Sequence, residues 1–195
     1  IILRNNMKGE TMNNVRKNKV FRMTAGGLLL AIGIIIPRVF HIFGTPNLGK
    51  MLLPMHLPIF VSGIYLGPFY GLLTGFITPL INSLFGMPVF PQNIIMAFEL
   101  AAYGFFAGFL MNILVNFKLS RPIKVYCSLI SSMIAGRLVN ALVLLILAKL
   151  FGMNVPAPIS VVSSALLGLP GILIQLFLVP AIVYVLSVIE VKYNR

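Results

Sequence analysis

Glu99 and Tyr103 stand four positions apart, and Arg137 and Asn140 three, spacings that put each pair on one face of a helix. Together they offer a carboxylate, a phenol, a guanidinium and an amide, a set suited to recognising a small molecule by charge and hydrogen bonds. Glu99 is the one acid inside an apolar segment. A charge at the centre of a membrane helix costs about 2.5–3.5 kcal/mol on insertion scales, so its retention points to function. Four more polar residues lie in or beside apolar runs: Arg38, Asn82, Gln175, and His56 between Pro54 and Pro58. Each residue also has a structural reading. Glu99 and Arg137 neutralise each other as a buried pair, His56 caps an irregular helix start, Asn82 and Gln175 bridge helices, and Tyr103 packs. From the residues alone both readings stay open.

No catalytic constellation accompanies them. The chain has no aspartate, and its single cysteine, Cys127, rules out an internal disulfide and a CxxC metal site. Gly44-Thr45-Pro46-Asn47-Leu48-Gly49-Lys50 has the spacing of a phosphate-binding loop. Met51, however, stands where Ser or Thr would hold magnesium, and the segment follows an apolar helix instead of a strand. HExxH and GxSxG are missing, and one intramembrane glutamate with two histidines makes a poor metal site. The residues therefore predict neither an enzyme nor a chain that hydrolyses ATP by itself.

The elements that must position the polar residues are membrane helices. Of 195 residues, 59% are hydrophobic and 9% charged, with a mean hydropathy of +1.02. A soluble domain is about half apolar and about a quarter charged. One span takes roughly 20 residues, so the length predicts an all-α membrane protein, a compact bundle of about six transmembrane helices. The expected helices run from about Val20 to Phe43, up to Leu66, from Pro68 to Phe85, from Gln92 to Asn116, from Pro122 to Phe151, and beyond Pro158 to Tyr193.

The net charge of +12 is gathered before the first apolar run (Arg4, Lys8, Arg16, Lys17, Lys19, Arg22), around Lys118, Arg121 and Lys124, and at Lys192 and Arg195. Such clustering at one set of helix ends is the positive-inside pattern and predicts that both termini are cytoplasmic. Few aromatics accompany the basic residues, which argues against nucleic acid as a partner. In this topology nearly all the polar residues fall at mid-membrane or in its outer half, which predicts a polar pocket open to the outside. Glycines step every fourth position through Gly63, Gly67, Gly71 and Gly75. The step crosses the Gly67-Pro68 turn, so it predicts two short helices packed closely against each other.

Residues 1–19 form a basic cytoplasmic segment and 20–195 a single transmembrane domain. Pro37-Arg38-Val39-Phe40-His41 follows the first apolar run in place of a small-residue cleavage site, so that run is a span and not a cleaved signal. Lys8-Gly9-Glu10-Thr11 can be encoded by a bacterial ribosome-binding sequence just ahead of Met12. Residues 1–11 are accordingly expected to be a translated leader, with Met12 the natural start. N-terminal sequencing of protein from the native gene tests this.

The stretch "PMHLPIFVSGIYLGPFYGLLTGFITPLINSLFGMP", continued by "MAFELAAYGFFAGFL", resembles the S components of energy-coupling factor (ECF) vitamin transporters, particularly the pantothenate-type branch. The resemblance runs from about Met23 to the C-terminus and is strongest from Pro54 to Leu110. It implies a six-helix substrate-binding subunit of a bacterial cell membrane. Its partners would be a transmembrane coupling protein and two cytoplasmic ATPases, which use ATP and magnesium; this chain would need no cofactor. Family members usually dock the coupling protein through an Ala-xxx-Ala motif on the first helix, where this chain has Gly27 and Ala31.

The implied mechanism is capture of a vitamin outside, with the loop from Gly44 to Met51 as a lid, followed by toppling of the whole subunit. For pantothenate, Arg137 or Arg38 would take the carboxylate, and Asn140, Asn82 and Gln175 the amide and hydroxyls. His56 would stand at the mouth, with Glu99 and Tyr103 beside the ligand. Another vitamin or precursor (pyridoxine, hydroxymethylpyrimidine), a stand-alone secondary carrier and a membrane assembly subunit without cargo are the alternatives.

Overall fold

The computed structural model describes residues 19–43, 49 and 51–193. The expected leader, residues 1–18 of the basic segment and most of the Gly44–Met51 loop lie outside the described residues. The elements are α1 (Lys19–Phe43), α2 (His56–Val61, continued by a π turn over Ser62–Leu66), α3 (Pro68–Ser83), α4 (Gln92–Val115), α5 (Arg121–Lys149), α6 (Ser160–Leu167) and α7 (Leu169–Tyr193). Among the described residues there is no strand.

Among the described residues four helices are long and apolar enough to cross a membrane, within α1, α4, α5 and α7. The second expected span is shorter than the sequence reading made it. His56–Leu66 is six α-helical residues and five in π geometry, about 16 Å long against a hydrocarbon thickness of about 30 Å. Turn chemistry at both ends limits it. Leu53 at φ 49 and Pro54 keep the preceding segment out of the helix. At the other end Gly67 takes φ 109, a conformation open to glycine, and its N–H bonds Ser62 O at 3.2 Å and Gly63 O at 3.0 Å. Pro68 then starts α3, where its missing N–H is no loss. The last apolar segment also divides. Pro170 has no N–H to return to the preceding turn, and the chain breaks at Gly168 between α6 and α7.

The bundle is organised around α4, where 56% of the apolar window is buried, against 17%, 28% and 22% in α1, α5 and α7. Small residues allow this. A Cβ on Gly63 or Gly71 would run into the backbone of Gly104, one on Gly75 into Leu100, and one on Gly108 into the Gly67-Pro68 turn. The glycine step thus seats both short helices on α4 as well as on each other. The sequence reading had the close packing but not this third helix. In lipid, where burial of apolar surface contributes little between helices, such backbone approach is the main source of packing energy. Arg22 lies beside Gly67 and over the Tyr70 ring at 4.5 Å, and Leu186 packs on Tyr65 and Leu66. The start of α1, the α2–α3 turn and the far part of α7 therefore share one end of the bundle.

Candidate ligand-binding site

Three donors converge on Glu99, which is 4% exposed. Tyr103, one turn along α4, donates its hydroxyl to Oε1 at 2.7 Å. From α5, Arg137 Nη1 lies 3.0 Å from the same oxygen, and Asn140 Nδ2 donates to Oε2. The two face pairs read from spacing thus meet at one carboxylate. Gly136 makes the approach possible, since a Cβ there would enter the Tyr103 ring. An ion pair this deep is held by its extra hydrogen bonds, because desolvation offsets much of the Coulomb attraction.

Arg137 forms the polar edge of a cavity of about 480 Å³, within the usual range for small-molecule sites. On one side stand His56 and Phe60 of α2 and Tyr103 of α4. Their rings form a continuous wall, with centroids 5.2 Å apart for His56–Tyr103 and 5.3 Å for Phe60–Tyr103. α7 contributes Ile172, Gln175 and Leu176, α6 contributes Ala165, and α5 adds Ile130, Met133, Ile134 and Leu138. Of these, Ile130, Ile134 and Leu138 are 47%, 59% and 67% exposed, so the cavity extends to the outward face of α5.

The lining just ahead of α2 is built on a strained leucine. Leu53 lines the cavity at φ 49, which costs a non-glycine residue about 1–3 kcal/mol. Its carbonyl accepts from His56 N at 3.1 Å and from Gln175 Nε2 at 3.3 Å. Gly171 lets the backbone of Met51 and Leu52 lie directly on α7. Gln175 therefore bridges helices, as its structural reading had it, while also lining the cavity. His56 Nδ1 is buried without a well-formed hydrogen bond.

Five of the eight expected ligand contacts are in or directly behind the cavity lining: His56, Tyr103, Arg137 and Gln175 line the cavity, and Glu99 stands behind Arg137. Asn140 joins this cluster through Glu99. Two others are elsewhere. Asn82 donates to Gly33 O at 3.2 Å and Thr78 O at 3.1 Å, tying α3 to α1. Arg38 stacks over Phe85 at 3.3 Å. The lining is also far more apolar than the polar pocket expected from the sequence. Leu53, Phe60, Met133 and Ile172 were not foreseen, since nothing in an apolar residue's type separates a cavity wall from a packed core. Among the described residues no three His, Cys, Asp or Glu side chains gather. The chemistry on offer is hydrogen bonding, one ion pair and ring contact.

A helical membrane protein with a ligand-sized cavity among its helices is the class these features define. The family of ECF transporter substrate-specific components matches residues 21–189, and the chain belongs to it. It is thus a substrate-binding subunit of a transporter. No curated protein and no solved structure matches the chain.

Proposed function

We propose that this chain captures a water-soluble vitamin for an ECF transporter of a bacterial cell membrane. It crosses the bilayer six times with both termini in the cytoplasm. A transmembrane coupling protein and two ATPases act on it, and ATP hydrolysis with magnesium on those partners resets the loaded subunit after it topples. The observation that carries the reading is the cavity, lined from α2, α4, α5, α6 and α7 and edged by Arg137, in a chain of this family. Gly27 and Ala31 support docking through α1, because both stay exposed and a Cβ on Gly27 would meet nothing within 4 Å.

Pantothenate is the cargo that the resemblance implies. Its carboxylate would reach Arg137, and Gln175 and His56 would answer its hydroxyls and amide. A second reading, a neutral vitamin or precursor such as pyridoxine or hydroxymethylpyrimidine, is favoured by the pairing of Arg137 with Glu99. Co-expression with an ECF coupling protein and ATPase pair tests the assignment. The expected result is co-purification and vitamin uptake that depends on ATP hydrolysis. Uptake by the chain alone would instead make it a secondary carrier.

A further inference from the structure

We propose that Glu99 sets the charge class of the ligand: the cavity takes an uncharged molecule with an aromatic or apolar body and a hydrogen-bond acceptor for Arg137, and it turns carboxylates away. This inference rests on the reading of the cavity as a vitamin site and narrows the cargo to the second of the two readings above, a neutral vitamin or precursor, against pantothenate.

Arg137 is the one Lys or Arg side chain on the described lining, and its charge is already matched by Glu99 at 3.0 Å. Glu99 is in turn fixed by Tyr103 and Asn140, so it is not free to swing away when a ligand arrives. A guanidinium has five N–H donors, and Arg137 stays 19% exposed, so it keeps donors for a ligand while contributing no net charge with its partner. A carboxylate entering here would bring a second negative charge to a single guanidinium. It would also leave water for a cavity whose other walls are Phe60, Ile134, Leu138, Ile172 and Leu176. Burying an ion without an added counter-charge is strongly unfavourable, whereas a carbonyl, hydroxyl or ring nitrogen loses much less on transfer. The ring wall of His56, Phe60 and Tyr103 suits a flat body by offset or edge-on contact.

The test is binding to the purified full chain of compounds that differ in one group. Pantothenate and pantothenol differ as carboxylate and alcohol, and so do 4-pyridoxate and pyridoxine. Hydroxymethylpyrimidine and riboflavin complete the neutral arm, with biotin, folate and thiamine as charged members. The expected result is a saturable hit in the neutral arm, with any alcohol favoured at least about tenfold over its carboxylate twin, a difference of about 1.4 kcal/mol. Glu99→Gln keeps the shape of the side chain, and the Asn140 amide can turn to accept from it. This variant unmasks Arg137 and is expected to erase or reverse the preference.

If Glu99→Gln does not fold, the double variant Glu99→Gln with Arg137→Gln keeps the site neutral, and the alcohol preference should survive in it. Tighter binding of a carboxylate or of thiamine by the wild type overturns the inference while leaving the transporter reading in place. So does a preference unchanged in Glu99→Gln, or one lost in the double variant. Silence across the whole panel from folded protein removes the vitamin reading and takes this inference with it.

Discussion

The two sides of α4 are assembled on opposite principles. Towards α2 and α3 it offers Gly104 and Gly108, and backbone meets backbone at Gly63, Gly71 and Gly75 with no room for a single added carbon. Towards α5 it offers Glu99 and Tyr103, and contact is made by long polar side chains beside a cavity of about 480 Å³. One side is fixed by shape and the other by charge and hydrogen bonds. A substrate-binding subunit has use for both, because a rigid seam holds α2 and α3 in place while the other side keeps space for a ligand. The difference also separates the consequences of mutation, since the first side fails by overpacking and the second by an uncompensated charge.

The largest effect should come from the charged side. Arg137→Ala leaves Glu99 buried with Tyr103 and Asn140 but no counter-charge. Breaking a buried pair in this way costs about 3–5 kcal/mol, and ligand affinity should fall on the order of a hundredfold with the loss of the cavity's guanidinium. Thermal unfolding of the purified protein and calorimetry read the two quantities separately. A stable Arg137→Ala that still binds would show that the pair is ornamental and that the two sides do not differ as described.

Next is the seam. Gly104→Val places atoms where the backbone of Gly71 already lies, and overpacking of this kind costs typically about 1–3 kcal/mol. The same substitution at Gly27, where a Cβ meets nothing within 4 Å, should leave the fold intact. Melting temperatures for the pair make the comparison direct, and equal losses at both sites would mean that the seam is not the tight element.

Much of this was legible in the sequence, for reasons that differ by residue. The ends of α1 and α4 follow from runs of apolar residues bounded by basic or proline-containing stretches, and they agree with the structure to within a residue. Glu99 with Tyr103, and Arg137 with Asn140, were readable because helical spacing fixes which residues share a face. Their joint meeting required knowing how α4 and α5 turn towards one another, which Gly136 helps to decide and which spacing does not encode. Arg38 and Asn82 were polar in apolar company like the others, yet the rotation of α1 and α3 carries them to other contacts. The shortness of α2 was hidden for a different reason. Hydropathy does not register a leucine at φ 49, and it runs on through a π turn as though the helix were regular.

Gly136→Ala is the next smaller perturbation and tests the join between the two principles. Its Cβ enters the Tyr103 ring, which must shift away from α5 and loosen its bond to Glu99. The displaced Tyr103 ring borders the cavity and can move into it, so stability should drop by only about 1 kcal/mol. Affinity should fall about tenfold, because the ring wall and the carboxylate move together. Calorimetry shows this as weaker binding from protein whose melting point is little changed. An affinity loss no larger than the stability loss would make Tyr103 packing alone.

The smallest effect is expected where the cavity reaches the outward face of α5. Ile134 lines the cavity yet is 59% exposed, and a residue facing lipid gains little from burial because hydrocarbon surrounds it in either state. Ile134→Ala should therefore change stability by no more than about 0.5 kcal/mol, the usual scale for substitutions away from a packed or charged feature. Affinity should change less than about threefold, since the neighbouring Ile130 and Leu138 still close that wall. The variant separates two pictures of the looser side. If it behaves as expected, the cavity is held open by the Glu99–Arg137 cluster and merely edged by apolar side chains. A loss approaching that of Gly104→Val would mean that Ile134 is packed as firmly as the glycine seam, and the contrast between the two sides of α4 would be one of chemistry without a difference in rigidity.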